Sequence, residues 1–184
     1  MTAGKFNDGN PANRPVLAQR LHDGMKAAFD AATRHPLTEA TFRSTPLFLP
    51  PRSDAAFTEE GLYATLRDTE QKTFHRNLAA MGLSWRKRCE AGIPIDLCAL
   101  DFGKAVFLLM PAETFVQYQL TAQGMRPDAI VMTAGYGESA PGYTPSAAAT
   151  EDDFNSHHTW LWVDPKVEPL INMAVQKVLL PGLE

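Results

Sequence analysis

A carboxylate, Glu113, closely follows an apolar run, Ala105 to Met110, that stops at Pro111. The run predicts a buried strand, and the segment after it, Thr114 to Met125, predicts a helix. Glu113 would then lie in the first turn of that helix, where the helix dipole favours a negative charge. Open α/β sheets keep their chemistry at the carboxyl ends of their strands. Glu113 is therefore the leading candidate for a functional acid, and the alternative is an ordinary charge at a helix start.

A loop with two tyrosines and three glycines follows a second apolar run, Ala129 to Thr133. It reads G-Y-G-E-S-A-P-G-Y-T-P and ends at Pro145. Glycine permits positive φ and close backbone approach, so this loop can form a wall or lid of a substrate site. Tyr136, Gly142 and Tyr143 are the substrate-binding candidates. The alternative is a plain connection whose tyrosines pack on the sheet.

The spacing of the histidines and cysteines predicts no complete metal site. His157 and His158 are adjacent, and adjacent side chains of an extended chain point in opposite directions. One of them could still join Glu113 at an ion, and the alternative, which we favour, is a pair of surface histidines. Cys89 and Cys98 match no common zinc spacing and are too few for a disulfide framework. The chain has no H-E-x-x-H, no G-x-S-x-G elbow, no P-loop and no dinucleotide-binding glycine fingerprint.

Helical and extended patterns alternate along the chain. Near its start we predict a helix from Asn13 or Arg14 to His35-Pro36, an edge strand over Thr38–Phe48, and helix over Leu62–Cys89 in two pieces that meet near Gly82. Later we predict a hairpin over Ile93–Met110, a strand Ala129–Ala134 parallel to Ala105–Met110, a helical turn Ser146–Thr150, a short strand Trp160–Val163 and a helix Val167–Leu179. The fold class is therefore α/β, with a mixed sheet flanked by helices and a strand–helix–strand crossover. We expect residues 1–184 to form a single α/β unit.

Composition narrows the function classes. A length of 184 residues allows one domain with a sizeable core, and a net charge of −4 gives no basic surface for nucleic acid. No apolar run approaches the roughly 18 residues that a membrane helix needs. Met1 is not followed by a charged and then an apolar region, so we expect no secretion signal on this chain.

Three stretches together resemble the neutral/alkaline non-lysosomal ceramidase family, most closely its bacterial ceramidase-like proteins. They are M-P-A-E-T-F around Glu113, G-Y-G-E-S-A-P-G-Y-T-P after it, and A-G-K-F-N-D-G-N-P-A-N-R near the start. The family pattern is L-P-[GA]-E-x-F followed by G-Y-[IT]-P. The resemblance extends from about Thr2 to Leu179 and implies the carboxyl-terminal part of a larger catalytic domain.

The resemblance implies a zinc-dependent amidase that cleaves the N-acyl bond of ceramide into sphingosine and a fatty acid. The family's zinc is held by histidines, a tyrosine and a glutamate, and that glutamate matches Glu113. The family's histidines lie upstream of the part that this chain matches. Phe154 stands in the run that corresponds to the family's tyrosine ligand and has no oxygen to bind a metal. Catalytic zinc takes three protein ligands, so we expect zinc on this chain alone to be weak or absent.

Two functions from different classes remain open. The first is a ceramidase-like amidase fragment, inactive alone, that takes a small lipid amide, with Glu113 as a metal ligand and the two tyrosines positioning the amide or head group. The second is a non-catalytic, truncated or degenerate α/β binding or structural module. A weaker third keeps the hydrolase but changes its substrate. If the chain is only part of a larger domain, it would expose apolar sheet surface where its missing partner strands belong. Self-association through that surface is then a further possibility.

Overall fold

The structure is a computed structural model that describes residues 9–137, 141–151 and 160–182. Its helices are α1 (Asn13–Asp30), α2 (Glu59–Arg67), α3 (Thr73–Glu90), α4 (Val116–Met125), α5 (Ala147–Glu151) and α6 (Glu168–Leu179). Its strands are β1 (Thr41–Leu47), β2 (Ile95–Asp101), β3 (Ala105–Leu109), β4 (Glu113–Thr114), β5 (Ile130–Ala134) and β6 (Tyr143–Thr144). No helix of the described residues is both long enough and apolar enough to cross a membrane.

The chain divides into two compact units. The first extends to Leu37 and contains α1, of which no residue is buried. Pro15 lies in the first turn of α1, as predicted. The helix ends at Asp30, before the predicted limit at His35-Pro36. A residue before proline marks only the last position that a helix can reach.

The second unit begins at Thr38 and contains the four-stranded mixed sheet, in the order β1-β2-β3-β5. β2 pairs antiparallel with β1 and with β3, and β3 pairs parallel with β5. The hairpin predicted over Ile93–Met110 is confirmed, and so is the crossover from β3 through α4 to β5. The α/β fold class with a mixed sheet and flanking helices is confirmed as well.

One face of the sheet carries the core. Ile95, Leu97, Val106 and Leu108 alternate along β2 and β3 with more exposed residues, and each is fully buried. Helix α6 covers β1 and β2, and α4 covers β5 and touches α6. Trp85 of α3 joins the same apolar cluster. The alternation of buried and more exposed residues along each strand therefore places the buried side chains on the face that the helices cover.

The break within the helical region Leu62–Cys89 lies between α2 and α3, at residues 68–72. Our prediction of a break near Gly82 is wrong, because Gly82 lies inside α3. A Cβ atom on Gly82 would come within 2.9 Å of the Trp162 ring. Close packing, rather than a chain break, therefore accounts for this glycine.

The strand predicted over Trp160–Val163 is reduced to two isolated bridges. Leu161 bridges Gly142, and Val163 bridges Pro51. Both residues are fully buried. The segment therefore ties two loops to the core without extending a sheet.

Strand β5 is an edge strand whose outer hydrogen bonds are made by side chains of α4. Gln119 donates to the Val131 carbonyl at 2.7 Å and accepts from the Thr133 amide at 2.9 Å. Gln123 donates to the Ala129 carbonyl at 2.8 Å and accepts from the Val131 amide at 2.9 Å. The two glutamines, one helical turn apart, thus take the place of a neighbouring strand.

At the opposite end of the sheet from the β3–β5 carboxyl ends, Asp101 binds two arginines. Arg126 Nη1 lies 2.9 Å from its Oδ2 and Arg43 Nη1 lies 3.0 Å from the same atom. Burial acts to raise the pKa of Asp101, but the hydrogen bonds from Arg126, the Gly103 amide and Arg43 outweigh it and hold that pKa below its usual value. Both guanidinium groups also reach the last carbonyls of α6. This cluster therefore joins the β2–β3 hairpin to the end of α6.

Candidate functional site

Glu113 lies beyond the carboxyl end of β3, but not where the sequence pattern places it. Helix α4 begins only at Val116, and Glu113 belongs to the two-residue strand β4. Our assignment of Glu113 to a first helical turn is therefore wrong. The physical reason is its long-range pairing: β4 runs parallel to β6 with Glu113 opposite Tyr143, and the Glu113 amide donates to the Gly142 carbonyl at 3.0 Å.

The loops that follow β3 and β5 are joined to each other by backbone hydrogen bonds. The Tyr136 amide donates to the Ala112 carbonyl at 2.7 Å, and the Gly137 amide donates to the Met110 carbonyl at 3.0 Å. Within the described residues, the only positive φ angles outside glycine belong to Ala112 (62°) and Tyr136 (61°). Such backbone conformations cost about 1–3 kcal/mol each and concentrate at functional sites. Here Ala112 directly precedes Glu113, and Tyr136 is hydrogen-bonded to Ala112.

Glu113 lies close enough to the hydroxyls of Tyr136 and Tyr143 to raise the pKa of both phenols. The hydrogen bond to Glu113 is the main cause that raises the pKa of Tyr136. Burial is the main cause that raises the pKa of Tyr143, and the charge of Glu113 and the hydrogen bond to it act in the same direction. Tyr136 is 62% exposed and Glu113 is half-buried, so solvent reaches the cluster. We call these three residues the Glu–Tyr–Tyr cluster.

Gly142 is held by packing against two tryptophans. Its φ is +73°, and a Cβ atom would come within 2.1 Å of the Trp160 carbonyl oxygen and 2.8 Å of the Trp162 ring. The Tyr143 amide donates to that same Trp160 carbonyl at 3.0 Å. A glycine is therefore required here for the chain to bring Tyr143 to Glu113.

Behind the cluster the structure places polar groups that the sequence patterns did not single out. The Tyr118 hydroxyl donates to the Pro145 carbonyl at 2.6 Å, and both burial and the charge of Glu168 raise the pKa of Tyr118. Thr144 is fully buried, and its hydroxyl has no hydrogen-bond partner among the described residues. A buried hydroxyl in this situation is normally satisfied by water or a ligand. No spacing in the sequence marks these residues, because their roles depend on contacts between distant segments.

The remaining candidate residues have different positions. His157 and His158 lie outside the described residues, as does Phe154. Cys89 and Cys98 form no disulfide. Within the part of the chain that the structure describes, no three His, Cys, Asp or Glu side chains are grouped so that they could hold a metal ion. The donors that do come together at the candidate site are one carboxylate and two phenols.

The chain matches no protein-family model, no curated protein and no solved structure. The resemblance to the ceramidase family therefore stands on its motifs alone.

Proposed function

We propose that Glu113 is a zinc ligand in an amidase site similar to that of the neutral/alkaline non-lysosomal ceramidases. In this proposal Tyr136, Gly142 and Tyr143 form the substrate-binding wall beside it, and the substrate is a small lipid amide such as N-acyl-sphingosine. The observation that carries the proposal is the Glu–Tyr–Tyr cluster. Tyr136 and Tyr143 follow Glu113 by 23 and 30 positions, yet both lie beside it, near the carboxyl ends of the parallel strands β3 and β5. Open α/β sheets bind their ligands at this edge.

The chemistry of the cluster suits amide hydrolysis. A bound zinc ion would supply a water of lowered pKa as the nucleophile. Glu113 offers carboxylate oxygens, which are ordinary zinc ligands. Each phenol hydroxyl has one proton to donate. With the Glu113 oxygens bound to a metal, that proton would be available to the carbonyl oxygen of an amide. The chain's own residues would thus bind and orient the substrate next to the carboxylate.

The ligand set fits zinc in part. A catalytic zinc takes three protein ligands, and the cluster offers one carboxylate together with weaker phenol oxygens. Histidines would complete the site, either His157 or His158 or the upstream histidines that the family resemblance implies. We therefore expect weak zinc binding by this chain and no appreciable hydrolysis without the missing ligands.

A competition titration with a chromophoric zinc chelator tests the metal role of Glu113. We expect Glu113→Ala to lower zinc affinity by about 10–100-fold, since loss of groups that only support ligands already costs that much. Glu70→Ala, at an exposed turn residue, is the matched control and should leave affinity unchanged. Equal affinity in the parent chain and both variants would contradict the proposal.

Hydrolysis is the second readout. If zinc binds stoichiometrically and is lost in Glu113→Ala, a fluorescent N-acyl-sphingosine should be cleaved, with release of the fatty acid. Tyr143→Phe should then raise KM, because a donor to the substrate is removed. Cleavage of simple amides without cleavage of the lipid amide would retain the amidase and reject the ceramide-like substrate.

A non-catalytic binding or structural module is the second candidate. It is favoured by the outward face of the four-stranded sheet, which exposes Phe42, Phe107 and Ile130. In this case Glu113 would serve to hold the two tyrosine loops together. The zinc titration separates the two candidates, because a purely structural Glu113 predicts no change in zinc binding on mutation.

A further inference from the structure

The outward face of the four-stranded sheet has the composition of a protein core. Each strand contributes three outward-facing residues. In strand order they are Phe42, Ser44 and Pro46; Asp96, Cys98 and Leu100; Ala105, Phe107 and Leu109; Ile130, Met132 and Ala134. The single charged side chain among them, Asp96, lies opposite Pro46 near one end of the sheet.

Strand β3 illustrates what is unusual about this face. Val106 and Leu108 point inward and are fully buried, whereas Phe107 and Leu109 point outward and are 49% and 43% exposed. A strand that is apolar on both sides is typical of a sheet covered on both faces. Helices α4 and α6 lie against the inward side. The outward side therefore has the sequence of a covered surface.

The register arranges the outward side chains into a ridge and a trough. The ridge crosses all four strands through the paired residues Phe42, Leu100, Phe107 and Met132. The trough is the next row, whose paired residues are Ser44, Cys98, Leu109 and Ala134. Three of the four trough residues are small. The two rows are about 7 Å apart, since they are separated by two residues along each strand.

We propose that the occupant of this face is the same face of a second copy of the chain. A two-fold axis in the plane of the interface, along the boundary between the two rows, would place the ridge of each copy against the trough of the other in an isologous interface. Facing sheets that interdigitate in this way pack about 10 Å apart. The absence of charge from the centre of the face disfavours an acidic or basic partner.

The area is sufficient for a stable dimer. The exposed ridge and trough residues, with Ile130, present on the order of 500 Å² of apolar surface, at the upper end of what a monomer exposes. A standard interface buries about 800 Å² on each partner. The apolar centre would thus supply more than half of a standard interface, and the surrounding loops the remainder.

This inference is independent of the amidase site, because none of the twelve face residues belongs to the Glu–Tyr–Tyr cluster. The two can therefore fail separately. Loss of zinc binding in Glu113→Ala would not change the association state. Conversely, a change in the association state by substitution of the sheet face would leave Glu113 intact.

Sedimentation of the full chain over a wide concentration range tests the proposal. We expect a dimer that Phe107→Lys weakens by about 100-fold or more, because an unpaired charge enters an apolar interface and meets its like-charged copy near the two-fold axis. Phe42→Lys, in the same ridge, should act in the same direction. Phe74→Lys is the matched control, since Phe74 is 51% exposed but lies on α3. It should leave the dimer unchanged.

Cys98 gives a second readout from within the trough. In a Cys89→Ala background, alkylation of Cys98 should slow as the protein concentration rises, and Phe107→Lys should abolish that dependence. A monomer whose Cys98 reacts readily at all concentrations would overturn the proposal. So would a monomer whose Cys98 is always protected, because another part of the chain would then cover the face. A dimer that both lysine substitutions leave intact would also overturn it.

Discussion

At the scale of single residues, the feature that matters most is the proximity of Glu113 to Tyr136 and Tyr143. A half-buried carboxylate with two phenol donors is a compact polar group that can bind a cation or an amide. Ala112 and Tyr136 both have positive φ angles, and a backbone hydrogen bond between them joins the two loops. The identity of these side chains was apparent in the sequence, but their proximity to one another was not.

Replacement of the charge at Glu113 should change the titration of both tyrosines. We expect Glu113→Gln to lower the pKa of Tyr136 and Tyr143 towards the ordinary tyrosine value of 10.0. Burial is the main cause that raises the pKa of Tyr143 and persists in the variant. The negative charge of Glu113 disfavours a phenolate at both tyrosines, and the neutral amide removes that repulsion. The measurement is a spectrophotometric titration of tyrosinate absorbance.

Single Tyr136→Phe and Tyr143→Phe variants assign the two transitions, and Glu70→Gln is the control. An unchanged titration in Glu113→Gln would mean that this carboxylate does not act on the two phenols, and the candidate site would lose its geometry.

At the scale of elements, α4 connects the candidate site to the sheet. Its first residue, Val116, comes three positions after Glu113, and Gln119 and Gln123 complete the hydrogen bonds of β5. An unpaired strand edge invites association with other chains, and proteins commonly cover or block it. The two glutamines therefore end the sheet at β5 and hold the helix alongside the strand, with the two running in opposite directions.

Loss of one glutamine should destabilise the second unit. We expect Gln119→Leu to lower the free energy of unfolding by about 1–3 kcal/mol, since the Val131 carbonyl and the Thr133 amide lose their partners. Gln176→Leu, at an exposed position of α6, should change it by less than about 0.5 kcal/mol. Urea unfolding followed by circular dichroism measures both variants. Equal effects would show that the edge hydrogen bonds contribute nothing specific.

At the scale of the whole molecule, the two units differ in how their helices are stabilised. Helices α1 and α3 each have 18 residues. Five residues of α3 are buried and none of α1. An isolated helix of this length is marginal in water, because most helical stability in proteins comes from tertiary packing.

Hydrogen exchange should therefore separate the two helices. We expect the amides of α1 to exchange close to the rate of an unprotected peptide, with an opening free energy near zero, and the central amides of α3 to approach global stability. Exchange followed by mass spectrometry of the full chain provides the comparison within one sample. Protection of α1 equal to that of α3 would contradict this expectation and would require packing on the α1 surface.

The local elements were largely determined by the sequence alone. The β2–β3 hairpin, the crossover from β3 through α4 to β5 and the terminal helix α6 all follow from apolar periodicity and turn residues within short windows. These patterns are reliable because their causes are local, in side-chain direction and backbone preference. The predicted break at Gly82 was wrong because that glycine makes room for the ring of Trp162, a residue distant in sequence.

The tertiary structure alone decided the position of Glu113 and the contacts that make the candidate site. Glu113 lies in a strand and not in the predicted helical turn because it pairs with β6. The packing of Gly142 against Trp160 and Trp162 positions β6 for this pairing. The continuous apolar run in the sequence already makes β3 apolar on both sides. Only the packed helices determine which of these sides is covered. A sequence pattern determines whether a surface is apolar or polar. Which segment packs against that surface depends on the distant parts of the chain that the fold brings there.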